Sequence, residues 1–484
     1  MSGLTASTGA TRTGATRTGS GLTSGGKSLA ALTAALLAAC VAFQLNASML
    51  SPVLVTIAHE LKTDDASVGL SQTMFFTLAA LFSLFLPRLS DIVGRKRILI
   101  GMLVVMMLGS IVAALAVNLP MLYVGRAIQG VSGPVVPVCL LMLRAEISDP
   151  KKYGAAMGLL TAVNGGIAGI DAIAGGWLAT TLGFRSVFWV IAIVSVVAVA
   201  LVLIWGVESK PSAGTRMDWW GVIPLVVSIG ALLMALNEAG KLAAANWALV
   251  IGGIVLSLVA FVVFWFVEKR IREPLVPPKY LRQRSTWALL VTTLLTMTGV
   301  FAVVNGLVTS IAQNGDAGFG MQADLASLAF LTPYAIVGWI VGPFAGRLAP
   351  TLGYRTVLRV GLVGSIVATL IMAFVGVHSM PVLIVATVLI GICYAGIANI
   401  MLNGLGIVLS PADNPGFLPG LNAGAFNLGA GLSFALLPVL QVVLSPAGST
   451  STVGYSAGML VGAAITAVAL AVSFLIPKPV TAEA

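Results

Sequence analysis

The chain has 484 residues, 58% of them hydrophobic and only 9% charged, with a mean hydropathy of +1.04. A soluble domain is roughly a quarter charged, so lipid rather than water must solvate most of these side chains. The formal net charge is +10. Its basic residues fall mostly in short segments between apolar runs, a pattern that membrane topology explains better than nucleic-acid binding.

Residues 1–27 are rich in Gly, Ser and Thr and carry the near-repeat Gly9-Ala10-Thr11-Arg12-Thr13-Gly14, which reads as a disordered tail. The apolar run that follows is longer than a signal-peptide core and has no clear cleavage site, so it is expected to be a first spanning helix. A span needs about 20 mostly apolar residues. Fourteen such runs follow in order: 29–57, 67–87, 98–117, 119–143, 155–182, 186–206, 219–238, 247–267, 286–312, 324–347, 357–377, 380–409, 416–444 and 454–476. The expected fold is therefore all-α and integral to a membrane.

The basic residues test that count. With both termini inside, the outside segments hold only Lys62, Arg185 and Lys241, and Arg126 lies within a span; the other 22 of the 26 Lys and Arg fall inside. Missing one span in the middle would scramble this asymmetry.

An internal repeat organises the spans. Phe85-Leu86-Pro87-Arg88-Leu89-Ser90-Asp91-Ile92-Val93-Gly94-Arg95 matches Phe344-Ala345-Gly346-Arg347-Leu348-Ala349-Pro350-Thr351-Leu352-Gly353-Tyr354 at an offset of 259, which also places Asn46 on Asn305. Spans 1–6 (residues 28–206) and 9–14 (285–476) then form two parallel halves. Residues 207–284 are a two-helix insert with flanking inside loops, and 477–484 a short inside tail. Paired six-helix halves are a transporter architecture, with the substrate path between them near the midplane.

Three motifs carry chemistry. After span 2, Arg88-Leu89-Ser90-Asp91-Ile92-Val93-Gly94-Arg95-Lys96-Arg97 is a basic loop in which Gly94 permits a tight turn and Asp91 can cap a helix or pair with an Arg. In span 4, Arg126-Ala127-Ile128-Gln129-Gly130 places Arg126 and Gln129 on one helix face, and an Arg in a span needs a cavity or a partner. Span 5 carries Asp171-Ala172-Ile173-Ala174-Gly175-Gly176, with Asn164 seven residues earlier. Asp171 is the one carboxylate deep within an expected span. Burial penalises its charged form, so it can exchange a proton as a cavity opens and closes, or it can neutralise Arg126 as a fixed ion pair.

On these motifs the chain resembles the major facilitator superfamily over roughly residues 28–476, and within it the fourteen-helix drug:proton antiporter branch. The span 2 loop is similar to the superfamily's signature loop, with Pro87 in place of the first Gly and Ile92 in place of an Arg. The resemblance implies a conformational gate at Asp91, Gly94, Arg95 and Lys96. Span 4 resembles the Arg-x-x-Gln-Gly-x-Gly motif, which implies a part for Arg126 in proton coupling. Met217-Asp218-Trp219-Trp220-Gly221 and Glu273-Pro274-Leu275 match phrases that flank the insert in that branch. There are two departures. Asp171-Ala172 stands where the antiporter motif has Gly-Pro, and Leu45-Asn46-Ala47-Ser48 stands where the branch carries an Asp.

The expected proton-coupling residues are thus Asp171 and Arg126. Polar residues within spans, namely Gln44, Asn46, Gln129, Asn164, Asn305, Tyr334, Asn399 and Asn403, are candidates for the substrate cavity. Cys40, Cys139 and Cys393 lie in apolar runs with no pairing or metal pattern and read as packing residues. The chain carries no phosphate-binding loop or nucleophile–histidine constellation, so neither an enzyme nor an ATP-driven pump is expected, and no cofactor or metal. The expected partners are a small-molecule substrate, protons and membrane lipids, for a monomer in a bacterial cytoplasmic membrane. The resemblance implies efflux of amphipathic drugs by alternating access. Two alternatives stand beside it: a transporter of one physiological metabolite, and a non-transporting sensor on the same fold.

Overall fold

The computed structural model describes residues 28–147, 149–209, 219–239, 245–271, 278–411, 417–446 and 448–478. The helices in chain order are α1 (Leu29–Glu60), α2 (Asp65–Val93), α3 (Arg95–Ala114), α4 (Leu119–Glu146), α5 (Pro150–Leu182), α6 (Phe184–Trp205), α7 (Trp219–Ala239) and α8 (Trp247–Arg270). They continue with α9 (Arg284–Gln313), α10 (Ala323–Ala349), α11 (Tyr354–His378), α12 (Met380–Val408), α13 (Phe417–Leu444) and α14 (Val453–Ser473). Thirteen helices among the described residues are long and apolar enough to cross a membrane. The expected fifth span falls on α5, a continuous helix of 33 residues that is not among those thirteen.

The helix ends explain one correction. The signature segment is mostly not a loop, because α2 runs on to Val93 and puts Arg88, Ser90 and Asp91 on its last turns. The turn is confined to Gly94, whose φ of +118° suits a residue without a Cβ. Its repeat partner Gly353, 259 residues on, has φ +89° and caps the helical stretch Thr332–Leu352, which carries α10 on by one further turn. Two positive-φ glycines at repeat-related positions are a backbone counterpart of the sequence repeat.

The halves meet along two helix pairs, α2 against α13 and α5 against α10. In the repeat, α2 corresponds to α10 and α5 to α13, so one pair is the image of the other, as a pseudo-two-fold axis between parallel repeats requires. Close approach depends on small residues. A Cβ on Gly176 of α5 would lie 2.6 Å from the Ala323 carbonyl oxygen of α10. On α13, a Cβ on Gly431 would lie 2.7 Å from the Thr77 hydroxyl of α2.

The helices of the insert, α7 and α8, pack on each other, with the Ser228 hydroxyl donating to the Ser257 carbonyl at 2.9 Å. Leu249, Ile251, Val255, Leu258, Val262 and Phe266 of α8 are exposed, as expected for a face solvated by acyl chains. In the C-terminal half three helices are interrupted by π-turns, at Val303–Val308, Ser327–Leu331 and Gly391–Ala398. Such widened turns inside α-helices recur at functional sites.

Candidate transport site

Helix α1 supplies the centre of the site. Asn46 and Ser48, two residues apart, each hold one of the two charged groups expected to act. The Arg126 guanidinium on α4 is fully buried. Its Nη1 donates to Asn46 Oδ1 and Gln129 Oε1, both at 2.7 Å, and its Nη2 donates to Gln72 Oε1 on α2. Gln129 Nε2 continues to the Ser110 hydroxyl at 2.8 Å. The guanidinium also lies 4.3 Å from the Phe75 ring centroid, where the ring's negative face favours a cation. The charge is thus spread over three amide oxygens and an aromatic face.

Asp171 on α5 is 2% exposed. The Ser48 hydroxyl lies 2.5 Å from Asp171 Oδ2, 2.9 Å from the Gln44 carbonyl, and 2.8 Å from Gln44 Nε2. A hydroxyl has one hydrogen to give and two lone pairs to offer. With Asp171 ionised, Ser48 donates to the carboxylate and leaves the Gln44 carbonyl. With a proton on Oδ2, the carboxyl donates to Ser48, which then donates to Gln44, while Gln44 Nε2 still donates to Ser48. The trio can therefore take up and release a proton while Ser48 stays hydrogen-bonded to both Asp171 and Gln44 Nε2; only its bond to the Gln44 carbonyl is given up when the proton leaves. The other carboxylate oxygen, Oδ1, is buried with no hydrogen-bond partner among the described residues.

The two charges do not form the ion pair that the sequence left open: no salt bridge joins Arg126 to Asp171. The reason is local. Asn46 and Gln72 reach Arg126 from α1 and α2, while Ser48 takes Asp171, so each charge is met by neutral polar groups.

Further residues close the end of the molecule where α1 and α9 finish, the expected outside. Ser51 donates to Asn305 Oδ1 at 3.1 Å, and Gln313 Nε2 donates to the Pro52 carbonyl at 3.0 Å, both across the halves. Asp65, at the start of α2, accepts from the Ser310 hydroxyl and, at 3.4 Å, from Gln441 Nε2. Gln441 and Asn314 also donate to the Tyr455 hydroxyl. At the opposite end, Arg95 pairs with Asp91 at 2.8 Å and donates to the Leu141 carbonyl, while the Lys96 backbone N–H donates to Glu208. The expected gate residues are thus tied to α4 and, through Glu208, to the segment after α6.

The structure brings Gln44, Asn46, Gln129, Arg126 and Asp171 around α1 and adds Asn305 through Ser51. Tyr334 is half-buried on α10. Asn399 and Asn403 pair with each other on α12, Nδ2 to Oδ1 at 3.2 Å, with Asn403 exposed. The side chain of Asn164 lies outside the described residues. Sequence reasoning passed over Ser48, Gln72 and Asp65. A Ser and a Gln within spans are weak signals alone, and Asp65 sits at a helix start, where an acid reads as a solvated cap.

Comparison with known proteins places the chain. The sequence profile of the Major Facilitator Superfamily matches residues 36–434, and the chain belongs to that family. It is a multi-pass secondary transporter and not an enzyme. It is 52% identical over 453 residues to the uridine/deoxyuridine transporter of Lactococcus lactis subsp. cremoris (strain MG1363), covering 92% of this chain and 94% of that one. It is 26% identical over 377 residues to the multidrug resistance protein Stp of Mycobacterium tuberculosis (strain CDC 1551 / Oshkosh), covering 77% of this chain and 67% of that one. Among solved structures it superimposes on the nucleoside transporter NupG with a TM-score of 0.62 at 12% identity, covering 92% of this chain and all of that one, a likeness of fold alone.

Proposed function

We propose that the chain carries pyrimidine nucleosides of the uridine and deoxyuridine type into the cell, driven by protons entering with them. The observation that carries this reading is the 52% identity over nearly the full length of a uridine/deoxyuridine transporter. The multidrug relative is matched at half that identity and over less of the chain. The expectation of drug efflux therefore gives way to its alternative, transport of one physiological metabolite. The two departures from the antiporter pattern, Asn46 in α1 and Asp171-Ala172 in α5, agree with that change.

Coupling is assigned to Asp171, because the Ser48–Gln44 pair accommodates both of its protonation states. Arg126 holds the four N-terminal helices α1–α4 in register around the site and keeps a positive charge near the path. In this reading fourteen helices span the membrane with both termini in the cytoplasm. The 28–206 and 285–476 halves rock about the site, and the two-helix insert faces lipid.

The test is uptake of radiolabelled uridine into proteoliposomes with an imposed inward proton gradient. Accumulation above equilibrium that collapses with a protonophore supports the proposal. Uridine transport indifferent to the gradient overturns the coupling. No uridine transport, with proton-driven export of lipophilic cations, returns the chain to efflux.

A further inference from the structure

Uridine and deoxyuridine share the uracil base and differ at the ribose 2′-hydroxyl. A site that takes both reads the base. Uracil's pairing edge has one donor, the imide N–H between two carbonyls, and its faces are flat and apolar. A receiving site needs one free acceptor and one aromatic face.

Most buried acceptors between the halves are already engaged. Asn46, Gln72 and Gln129 give their oxygens to Arg126, Asn305 Oδ1 accepts from Ser51, and Asn422 Oδ1 accepts from Thr293. Asp171 Oδ1 is buried with no hydrogen-bond partner among the described residues, while Ser48 holds Oδ2; of the other buried oxygens left so between the halves, Gln441 Oε1 lies at the closed end and Thr77 Oγ1 faces Gly431 of α13. An unpaired buried acceptor is costly, and a ligand N–H arriving there relieves that cost.

Helix register supplies the aromatic face. The Ser51–Asn305 hydrogen bond ties α1 to α9. One turn back along α1 is Ser48, which holds Asp171. One turn back along α9 is Phe301, whose carbonyl accepts from Asn305 Nδ2 at 3.0 Å. Both steps lead one turn away from the closed end, so Ser48, which holds Asp171, and Phe301 sit at about the same depth along α1 and α9. Phe301 is half-buried, and its ring is held in T-shaped contacts with Phe76 at 5.2 Å, Phe434 at 5.9 Å and Phe426 at 6.2 Å between centroids.

On the reading that the cargo is a pyrimidine nucleoside, we infer that Asp171 and Phe301 are the specificity pair for the base: Asp171 Oδ1 accepts the imide N–H, and the Phe301 ring stacks on the uracil face. With the proton on Oδ2, Oδ1 remains a carbonyl-type acceptor, so one carboxyl group serves proton and nucleoside together.

The experiment is equilibrium binding to the purified full chain in lipid nanodiscs, without a gradient. Radiolabelled uridine is displaced by uridine, deoxyuridine and N3-methyluridine, whose imide hydrogen is replaced by a methyl. In the wild type the first two compete within about threefold of each other, and N3-methyluridine is weaker by about tenfold or more, the scale for leaving a buried polar group unpaired. In Asp171→Ala, uridine falls to the level of N3-methyluridine and the gap between them closes. Phe301→Leu weakens both by about tenfold, the scale of base stacking, and keeps the gap. If Asp171→Ala does not fold, Asp171→Leu is read in its place; it fills a similar volume without an acceptor, and the gap closes in the same way. A gap unchanged in a folded Asp171 variant overturns the inference and leaves the nucleoside reading standing. A wild type that binds no uridine overturns the nucleoside reading itself.

Discussion

Ser48 lies 2.5 Å from Asp171, joining the first helix to the fifth through a hydroxyl that also meets the backbone carbonyl and the side-chain Nε2 of Gln44. Removing that hydroxyl leaves Asp171 without the one side chain among the described residues that hydrogen-bonds to it. Ser48→Ala is expected to lower uridine transport by about tenfold, the scale of a hydrogen bond to a charged group, and to displace the pH profile of transport. Ser48→Thr keeps the hydroxyl and should restore both. Initial uptake rates across a pH series check this; a Ser48→Ala profile that superimposes on the wild type contradicts it.

Arg126 donates to amide oxygens on three different side chains. A lysine ammonium keeps the charge but not the planar fork. Arg126→Lys is expected to reduce transport by about tenfold to a hundredfold while the protein still elutes as a folded species on size exclusion. Transport within twofold of the wild type would show that only the charge matters.

Gly94 and Gly353 are repeat partners with positive φ, and their surroundings differ. A Cβ on Gly94 would lie 2.6 Å from a Glu208 oxygen, whereas on Gly353 the nearest neighbour is Thr356 Oγ1 at 3.8 Å. Both alanine variants pay for the backbone conformation, about 1 kcal/mol or more. Gly94→Ala should cost more, because Glu208 must also leave the Lys96 and Ser209 backbone N–H groups it accepts from. Thermal unfolding in detergent should rank Gly94→Ala below Gly353→Ala, and the opposite order would refute the account of this turn.

Asp65 joins the two halves at the closed end through Ser310 and Gln441. Loss of charge-assisted hydrogen bonds of about 1.5–3 kcal/mol shifts a two-state equilibrium by roughly tenfold or more. In a chain with Cys40, Cys139 and Cys393 replaced by Ala, a single cysteine at Ser51 should react slowly with an impermeant maleimide added outside. Adding Asp65→Ala should raise that rate severalfold. An unchanged rate would mean that other contacts hold this end shut.

Much of the fold was legible before the structure. Hydropathy located the helices because lipid demands long apolar runs, and the repeat at Arg88–Arg95 and Arg347–Tyr354 marks the two positions where the structure has a positive-φ glycine turn, at Gly94 and Gly353. The site was legible in part. Arg126 and Asp171 stood out because charge within a span is costly, but their partners were not readable, since which amide or hydroxyl reaches a charge depends on helix rotation. Asp65 shows the same limit. Its burial comes from Ser310 and Gln441, 245 and 376 residues away, and nothing near it in the chain announces them.

The most direct measurement records uridine uptake and internal pH together in proteoliposomes, starting from equal pH and adding uridine outside, for the wild type and Asp171→Asn. The account predicts that uridine entry acidifies the lumen of wild-type vesicles, and that Asp171→Asn abolishes the acidification even where residual uridine still enters. Acidification that persists in Asp171→Asn, or uridine entry in the wild type without any proton movement, would contradict it.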